Sequence, residues 1–179
     1  MTRRIAAASF ILAVMAGTAQ AHTGHDVASG FTHGFAHPFG GYDHLLAMFA
    51  VGLLAANLGG RALWMVPAAF VSMMVAGGLW GLAGFGLPYV EAAILISVGV
   101  LGLAALIRRS IPLVVATALA GAFAVFHGYA HTVEMPIGAS ALDYALGFIA
   151  GTVILHGAGL GAGLALNRVL PVRHTAWRA

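Results

Sequence analysis

The chain has 179 residues, of which 61% are hydrophobic and only 7% are charged, and its mean hydropathy is +0.96. A soluble domain carries roughly a quarter of its residues as Asp, Glu, Lys or Arg, so these few charges could not cover a surface that faces water. Segments of about 10 residues that alternate as a membrane β-barrel requires are absent from the sequence. The composition therefore predicts an all-α integral membrane protein.

Charge and cysteine content limit the chemistry further. The isoelectric point of about 10.0 comes from eight arginines and no lysine against five acidic residues. The arginines are scattered along the chain, which argues against a nucleic-acid partner. The absence of cysteine excludes disulfides, thiolate metal sites and cysteine nucleophiles. Any metal site must use imidazole and oxygen ligands, with methionine sulfur as a further option, and this set suits nickel, cobalt, zinc or iron better than copper(I).

The N-terminus has the pattern of a cleavable signal peptide over residues 1–21. A pair of arginines precedes the apolar run 5–17, and an A-x-A cleavage sequence follows it. The alternative is an uncleaved first membrane helix, but this run is shorter than the ~20 residues that a span needs. Cleavage would leave residues 22–36 as a short periplasmic segment. In that segment His22 and His25 are either accessory metal ligands or incidental residues of a flexible tail.

Five apolar segments follow, and each is long enough to cross a hydrocarbon core about 30 Å thick. They span residues 37–58, 62–80, 87–107, 111–134 and 139–166. The connections between them are short and contain turn residues, so there is no room for a soluble domain. We expect residues 37–168 to form a compact bundle of about five transmembrane helices, followed by a basic cytoplasmic tail at 169–179.

The charged residues predict how this bundle is oriented. If the signal peptide is cleaved, the mature N-terminus lies outside and the first helix runs inward. All later arginines then fall on the cytoplasmic side, as the positive-inside rule requires: Arg61, Arg108, Arg109, Arg168, Arg173 and Arg178. The acidic residues fall at or near the outer ends of segments: Asp26, Asp43, Glu91, Glu134 and Asp143. This pattern predicts a bacterial inner-membrane protein with a cytoplasmic C-terminus, whose acidic outer side suits the entry of a cation.

A first cluster of ionisable residues, HGFAHPFGGYDH, lies at the start of the first segment. At about 100° per residue, His33, His37 and His44 fall within a sector of about 40° if the helix is continuous. Pro38 either starts that helix or kinks it. Asp43 would point toward a neighbouring helix or support a ligand rather than share their face.

A second cluster lies near the end of the fourth segment. His127, His131 and Glu134 stand at i, i+4 and i+7, within about 60° of one another, which is an arrangement that divalent metals favour. Hydrogen bonding between helices is the structural alternative, but ionisable residues in a membrane are costly and usually face a pathway or site. His156 is either a further waypoint for an ion or an interhelical hydrogen bond. Glu91 either completes the site or orients a histidine.

Two motifs in these clusters resemble those of a known family. The sequence His37-Pro38-x-x-Gly41-x-Asp43-His44 is similar to the HPxxGxDH motif of the HupE/UreJ family of nickel/cobalt permeases. The sequence Phe126-His127-Gly128-x-Ala130-His131-x-x-Glu134-x-Pro136 resembles that family's second motif, FHGxAHGxExP, with Thr132 in place of a glycine. The leader and the short loops extend the resemblance over nearly the whole chain. The resemblance implies a secondary permease for Ni²⁺ or Co²⁺ that supplies a metalloenzyme such as hydrogenase or urease. The metal-binding residues that it implies are His37, Asp43, His44, His127, His131 and Glu134.

Transport is therefore the leading interpretation, with the lipid bilayer as surroundings and the metal ion as substrate. An outer site would replace part of the ion's water with imidazole and carboxylate and pass the ion inward. The sequence contains no Walker A motif, so an ion gradient, protons or capture on the inner side must drive uptake. A membrane-embedded metalloenzyme with a fixed ion is the alternative, although HExxH is absent, and a haem-binding cytochrome is a third possibility. We expect neither enzymatic activity nor a prosthetic group.

Overall fold

The bundle consists of α-helices that run back and forth across one hydrophobic core. The computed structural model describes residues 30–107 and 111–170, and within these ranges the chain contains no strand. Its helices are α1 (Gly30–Gly40), α2 (Tyr42–Leu58), α3 (Ala62–Leu82), α4 (Val90–Ile107), α5 (Leu113–Val133) and α6 (Ala141–Val169). The last four are each long and apolar enough to cross a membrane, and α1 with α2 provides a fifth candidate if this bent pair is one span. The prediction of an all-helical membrane bundle is confirmed.

Several predictions concern parts of the chain that the structure does not describe. The signal peptide at 1–21, with His22 and His25, lies outside the described residues, and so does the tail from residue 171 onward. The second part of the predicted periplasmic segment is described, and it is helical from Gly30 onward.

Prolines account for two differences between the predicted segments and the observed helices. The predicted segment 87–107 becomes helical only at Val90, because Pro88 lies in the preceding turn and Tyr89 has a positive φ of 59°. The segment predicted from residue 111 becomes helical only at Leu113, because Pro112 is the extended residue that precedes the first turn. Both differences lie at helix ends and leave the bundle unchanged.

The first predicted segment, 37–58, is divided into two helices. α1 and α2 meet at 82°, and Gly41 between them is extended, with φ −110° and ψ 128°. Pro38 lies inside α1, so the break follows the proline at the glycine pair. The Gly41 carbonyl accepts the first hydrogen bond of α2 from the Leu45 N–H, at 3.0 Å. A continuous helix that carries His33, His37 and His44 on one face is therefore not formed.

Glycines allow three helix pairs to pack backbone against backbone. At each of these positions a Cβ atom would collide with a carbonyl group of the neighbouring helix, so only glycine permits the approach. The contacts are Gly77 with Val125 and Gly128 with Met74 between α3 and α5, Gly52 with His156 and Gly159 with Phe49 between α2 and α6, and Gly34 with Tyr144 and Gly147 with Phe31 between α1 and α6. These contacts hold α3 close to α5, and they hold α6 close to both α1 and α2.

Candidate metal-binding site

The two histidine motifs meet at one end of the bundle, where the α1–α2 break faces the end of α5. We call this the histidine end. His37 Nε2 on α1 lies 2.9 Å from Oε2 of Glu134, the residue that follows the last turn of α5. The side chains of His37 and Glu134 are 26% and 44% exposed, so this pair lies at the surface of the protein.

Behind this pair three imidazole rings pack against one another. The ring centroid of His131 lies 4.7 Å from that of His37 and 4.7 Å from that of His44. The rings of His44 and His127 are also 4.7 Å apart. His127 and His131 are fully buried, and His44 is 6% exposed. Three helices thus bring imidazoles from both motifs into one cluster.

Asp43 orients the His44 ring. Its Oδ1 accepts a hydrogen bond from the His44 backbone N–H at 2.7 Å and lies 3.0 Å from His44 Nδ1. A carboxylate can only accept, so Nδ1 carries the proton and Nε2 keeps a lone pair. This carboxylate–imidazole pairing is the support that metal-binding histidines usually have.

Ser97 on α4 has the same effect on His127. The Ser97 hydroxyl donates to the Ile94 carbonyl at 2.6 Å, and its oxygen lies 2.9 Å from His127 Nε2. Because the hydroxyl proton is already used, His127 Nε2–H must be the donor, and Nδ1 keeps the lone pair. Ser97 was missed in the sequence because nothing in its own segment marks it as part of a site.

Four buried nitrogens of these rings have no hydrogen-bond partner in the described part of the chain. Within the described residues, His44 Nε2, His127 Nδ1 and both ring nitrogens of His131 have no hydrogen-bond partner. A buried polar atom without a partner costs about 1–3 kcal/mol, so such a concentration of them needs an explanation. A divalent cation fits this donor set, since neutral imidazole nitrogens are ligands for nickel, cobalt and zinc.

The described side chains form a closed arrangement. Among residues 30–107 and 111–170, no three His, Asp or Glu side chains converge as ligands of one ion. The rings meet largely edge to face, for example at 82° between His44 and His127. Ligation would therefore require the rings to turn and the His37–Glu134 pair to separate.

Aromatic side chains form the walls of the cluster. Phe148 stacks on His131 with a centroid distance of 4.5 Å, and Tyr144 lies 6.1 Å from His37. Phe70 lies 5.5 Å from His127 and 5.1 Å from His156. In the sequence these residues look like ordinary membrane aromatics, so their role as walls could not be predicted.

The predicted accessory residues have different surroundings. His156 is buried deeper in the bundle, and neither of its ring nitrogens has a hydrogen-bond partner in the described part of the chain, so the structure does not contain the interhelical hydrogen bond that was one of the two alternatives for it. Its side chain lines a cleft of about 400 Å³ between α3 and α6, with Leu63, Pro67 and Leu160. Glu91 is exposed in the first turn of α4, and His33 is exposed on α1, four residues before His37.

Comparison with known proteins assigns the chain to a family. The family described as HupE / UreJ protein matches residues 10–178. The chain is also similar to Protein HupE of Rhizobium leguminosarum bv. viciae, with 48% identity over 143 residues, which cover 80% of this chain and 74% of that protein. The chain belongs to the HupE/UreJ family. No solved structure matches this HupE/UreJ protein.

Family membership agrees with the resemblance seen in the two motifs. In general terms it associates this HupE/UreJ protein with nickel or cobalt transport. The motif that begins at His37 spans the α1–α2 break, and the motif that begins at Phe126 spans the last two turns of α5 and the turn that follows.

Proposed function

We propose that this HupE/UreJ protein is a secondary permease that takes up Ni²⁺ or Co²⁺ across the bacterial inner membrane. The imported ion would supply a metalloenzyme such as hydrogenase or urease. In this proposal the histidine end faces the periplasm and the C-terminus lies in the cytoplasm. The observation that carries the proposal is the cluster of buried imidazole nitrogens without a hydrogen-bond partner among the described residues, behind a partly exposed ion pair.

The ligands belong to both motifs. We assign the transport site to His37, Asp43, His44, His127, His131 and Glu134. Imidazole nitrogens supply most of the donors, and the carboxylates of Asp43 and Glu134 balance part of the ion's charge. Asp43 and Ser97 fix which nitrogen of His44 and His127 keeps its lone pair. These two nitrogens could therefore bind the ion without a change of tautomer.

Entry begins at the His37–Glu134 pair. The pair is partly exposed, and ion pairs of that kind contribute only about 0–1 kcal/mol. An arriving divalent cation attracts the Glu134 carboxylate more strongly than a singly charged or neutral imidazole does. The carboxylate and His37 would then turn from each other toward the ion, which opens the way to His131.

The inward path continues along the buried polar side chains. From His131 the ion would pass to His127 and then beyond the Phe70 ring to His156. His156 lines the cleft between α3 and α6, which lies toward the opposite end of these helices. A transport site must bind well enough to capture and weakly enough to release, so ligands are distributed along the path instead of gathered around one tight position.

Nickel accumulation in cells tests this proposal. Bacteria that lack other high-affinity nickel uptake would express the wild type, His37→Ala or His131→Ala at matched protein levels. The Ser72→Ala variant is a control, since Ser72 is exposed on α3. We expect the two histidine variants to lose most nickel uptake and the control to keep it. Equal accumulation of nickel and cobalt in all strains would refute the transport site.

A further inference from the structure

A sulfur-containing layer lies within the bundle, deeper than His44. The Thr152 hydroxyl on α6 lies 3.3 Å from the Met48 sulfur on α2 and 3.8 Å from the Met74 sulfur on α3. All three side chains are fully buried. We call Met48, Met74 and Thr152 the thioether layer.

The direction of the Thr152 hydroxyl is unusual for a membrane helix. The hydroxyls of Ser97 and Thr117 donate to backbone carbonyls of their own helices, and the Thr132 hydroxyl lies within reach of backbone carbonyls on its own helix and on α3. Thr152 instead contacts two sulfur atoms, which are weak acceptors. One hydroxyl proton cannot serve both sulfurs at once. At least one of the two thioether sulfurs therefore accepts no hydrogen bond from Thr152.

The layer connects the histidine cluster with His156. Met48 lies one helical turn beyond His44 on α2, and Thr152 lies one turn before His156 on α6. Met74 is one turn from Phe70 on α3, and Phe70 contacts both His127 and His156. His156 carries two ring nitrogens that have no hydrogen-bond partner among the residues described. Sulfur, hydroxyl and imidazole donors thus follow one another along the inside of the bundle.

We propose that the thioether layer and His156 form a second cation site, selective for borderline and soft metal ions. Thioether sulfur prefers soft cations, and imidazole accepts nickel and its neighbours, whereas Mg²⁺ and Ca²⁺ require oxygen ligands. The site would bind Ag⁺ in a purified protein and Ni²⁺ in transit. Only the transit of nickel rests on the proposed transport function, because silver binding depends on the site alone.

Packing is the competing explanation for the two methionines. Methionine fills irregular gaps in cores, and its sulfur is then incidental. Leucine has a similar volume, so Met→Leu keeps the packing and removes the ligand. The matched control is Met73→Leu, since Met73 neighbours Met74 on α3 but is 41% exposed.

The test measures silver bound to the purified full-length protein in detergent micelles. Each variant would receive one equivalent of Ag⁺, and X-ray absorption at the silver edge would report whether sulfur neighbours the metal. We expect sulfur neighbours in the wild type and in Met73→Leu. In the Met48→Leu/Met74→Leu double variant they should disappear, and the Ag⁺ affinity should fall by about tenfold or more.

Sulfur neighbours that persist in the double variant, or that are missing in the wild type, would overturn the proposal. If the double variant does not fold, the two single variants give the same test, with a reduced sulfur signal expected in each.

Nickel uptake by the same proteins separates the two proposals. If the wild-type protein imports no nickel but the double variant loses the sulfur neighbours of Ag⁺, transport is refuted and the second site stands. Unchanged sulfur neighbours with normal uptake would refute only the second site.

Discussion

Removal of the Ser97 hydroxyl tests whether a hydrogen bond fixes the tautomer in which the buried His127 can bind a metal. Ser97 is fully buried, and its oxygen is the acceptor for His127 Nε2–H at 2.9 Å. In Ser97→Ala this N–H would have no acceptor between α4 and α5. A buried donor without a partner costs about 1–3 kcal/mol.

Without the Ser97 oxygen neither ring nitrogen of His127 has a partner among the described residues, so the proton is no longer held on Nε2 and can move to Nδ1. Nδ1 is the nitrogen whose lone pair is available in the wild type, so the change removes a prepared ligand. Loss of a group that orients a metal-binding histidine typically lowers metal affinity by about 10–100-fold, equivalent to about 1.4–2.8 kcal/mol. We expect the nickel concentration that gives half-maximal uptake to rise by the same factor.

Initial rates of radioactive nickel uptake, measured over a range of nickel concentrations, would show this shift. Ser97→Thr keeps the hydroxyl and should behave like the wild type. Ser72→Ala makes the same chemical change on the exposed surface of α3 and should have no effect. An unchanged half-maximal concentration in Ser97→Ala would refute the argument that Ser97 sets the state of His127.

Three further predictions address the entry pair, the protonation of the site and the helix contacts. Glu134→Gln removes the carboxylate that lies 2.9 Å from His37 and should reduce uptake at limiting nickel, whereas Asp143→Asn, an equal loss of charge on an exposed residue of α6, should not. Uptake by the wild type should fall as the outside pH drops from about 7 to about 5.5, because the partly exposed His37 loses its lone pair for a metal when it is protonated, and a flat pH profile would contradict ligation by His37. Gly128→Ala forces a Cβ against the Met74 carbonyl and should lower the stability to thermal unfolding in detergent by about 1–3 kcal/mol, whereas Gly161→Ala, where a Cβ meets no atom of the described residues within 4 Å, should not.

Much of the fold could be predicted because the bounds of each helix depend on the length of its own apolar segment and on the turn residues beside it. Pro88 and Pro112 lie at helix boundaries that the sequence placed within three residues. The break at Gly40 and Gly41 could not be predicted, since two glycines permit both a continuous helix and a bend. Tertiary contacts decide between them, because α1 packs closely along α6 through Gly34 and Gly147.

The site could be predicted only where its residues lie close together in the chain. Helical spacing alone places His127 and His131 on one face of α5. The contact of His37 with Glu134 depends on two helices that lie far apart in sequence. Ser97 and Tyr144 contact the site from other helices, and the thioether layer lies beyond it. The segments that contain these residues show no pattern that marks them. Their roles arise from packing, which a single sequence does not specify residue by residue.

Nickel entry into vesicles that contain only the purified protein tests the central proposal most directly. Vesicles would enclose a nickel-sensitive dye, and nickel would be added outside without any nucleotide. The proposal predicts saturable entry with the wild type and loss of that entry with His131→Ala. Wild-type vesicles without entry, whose protein instead holds one ion tightly, would contradict transport and favour a fixed metal site.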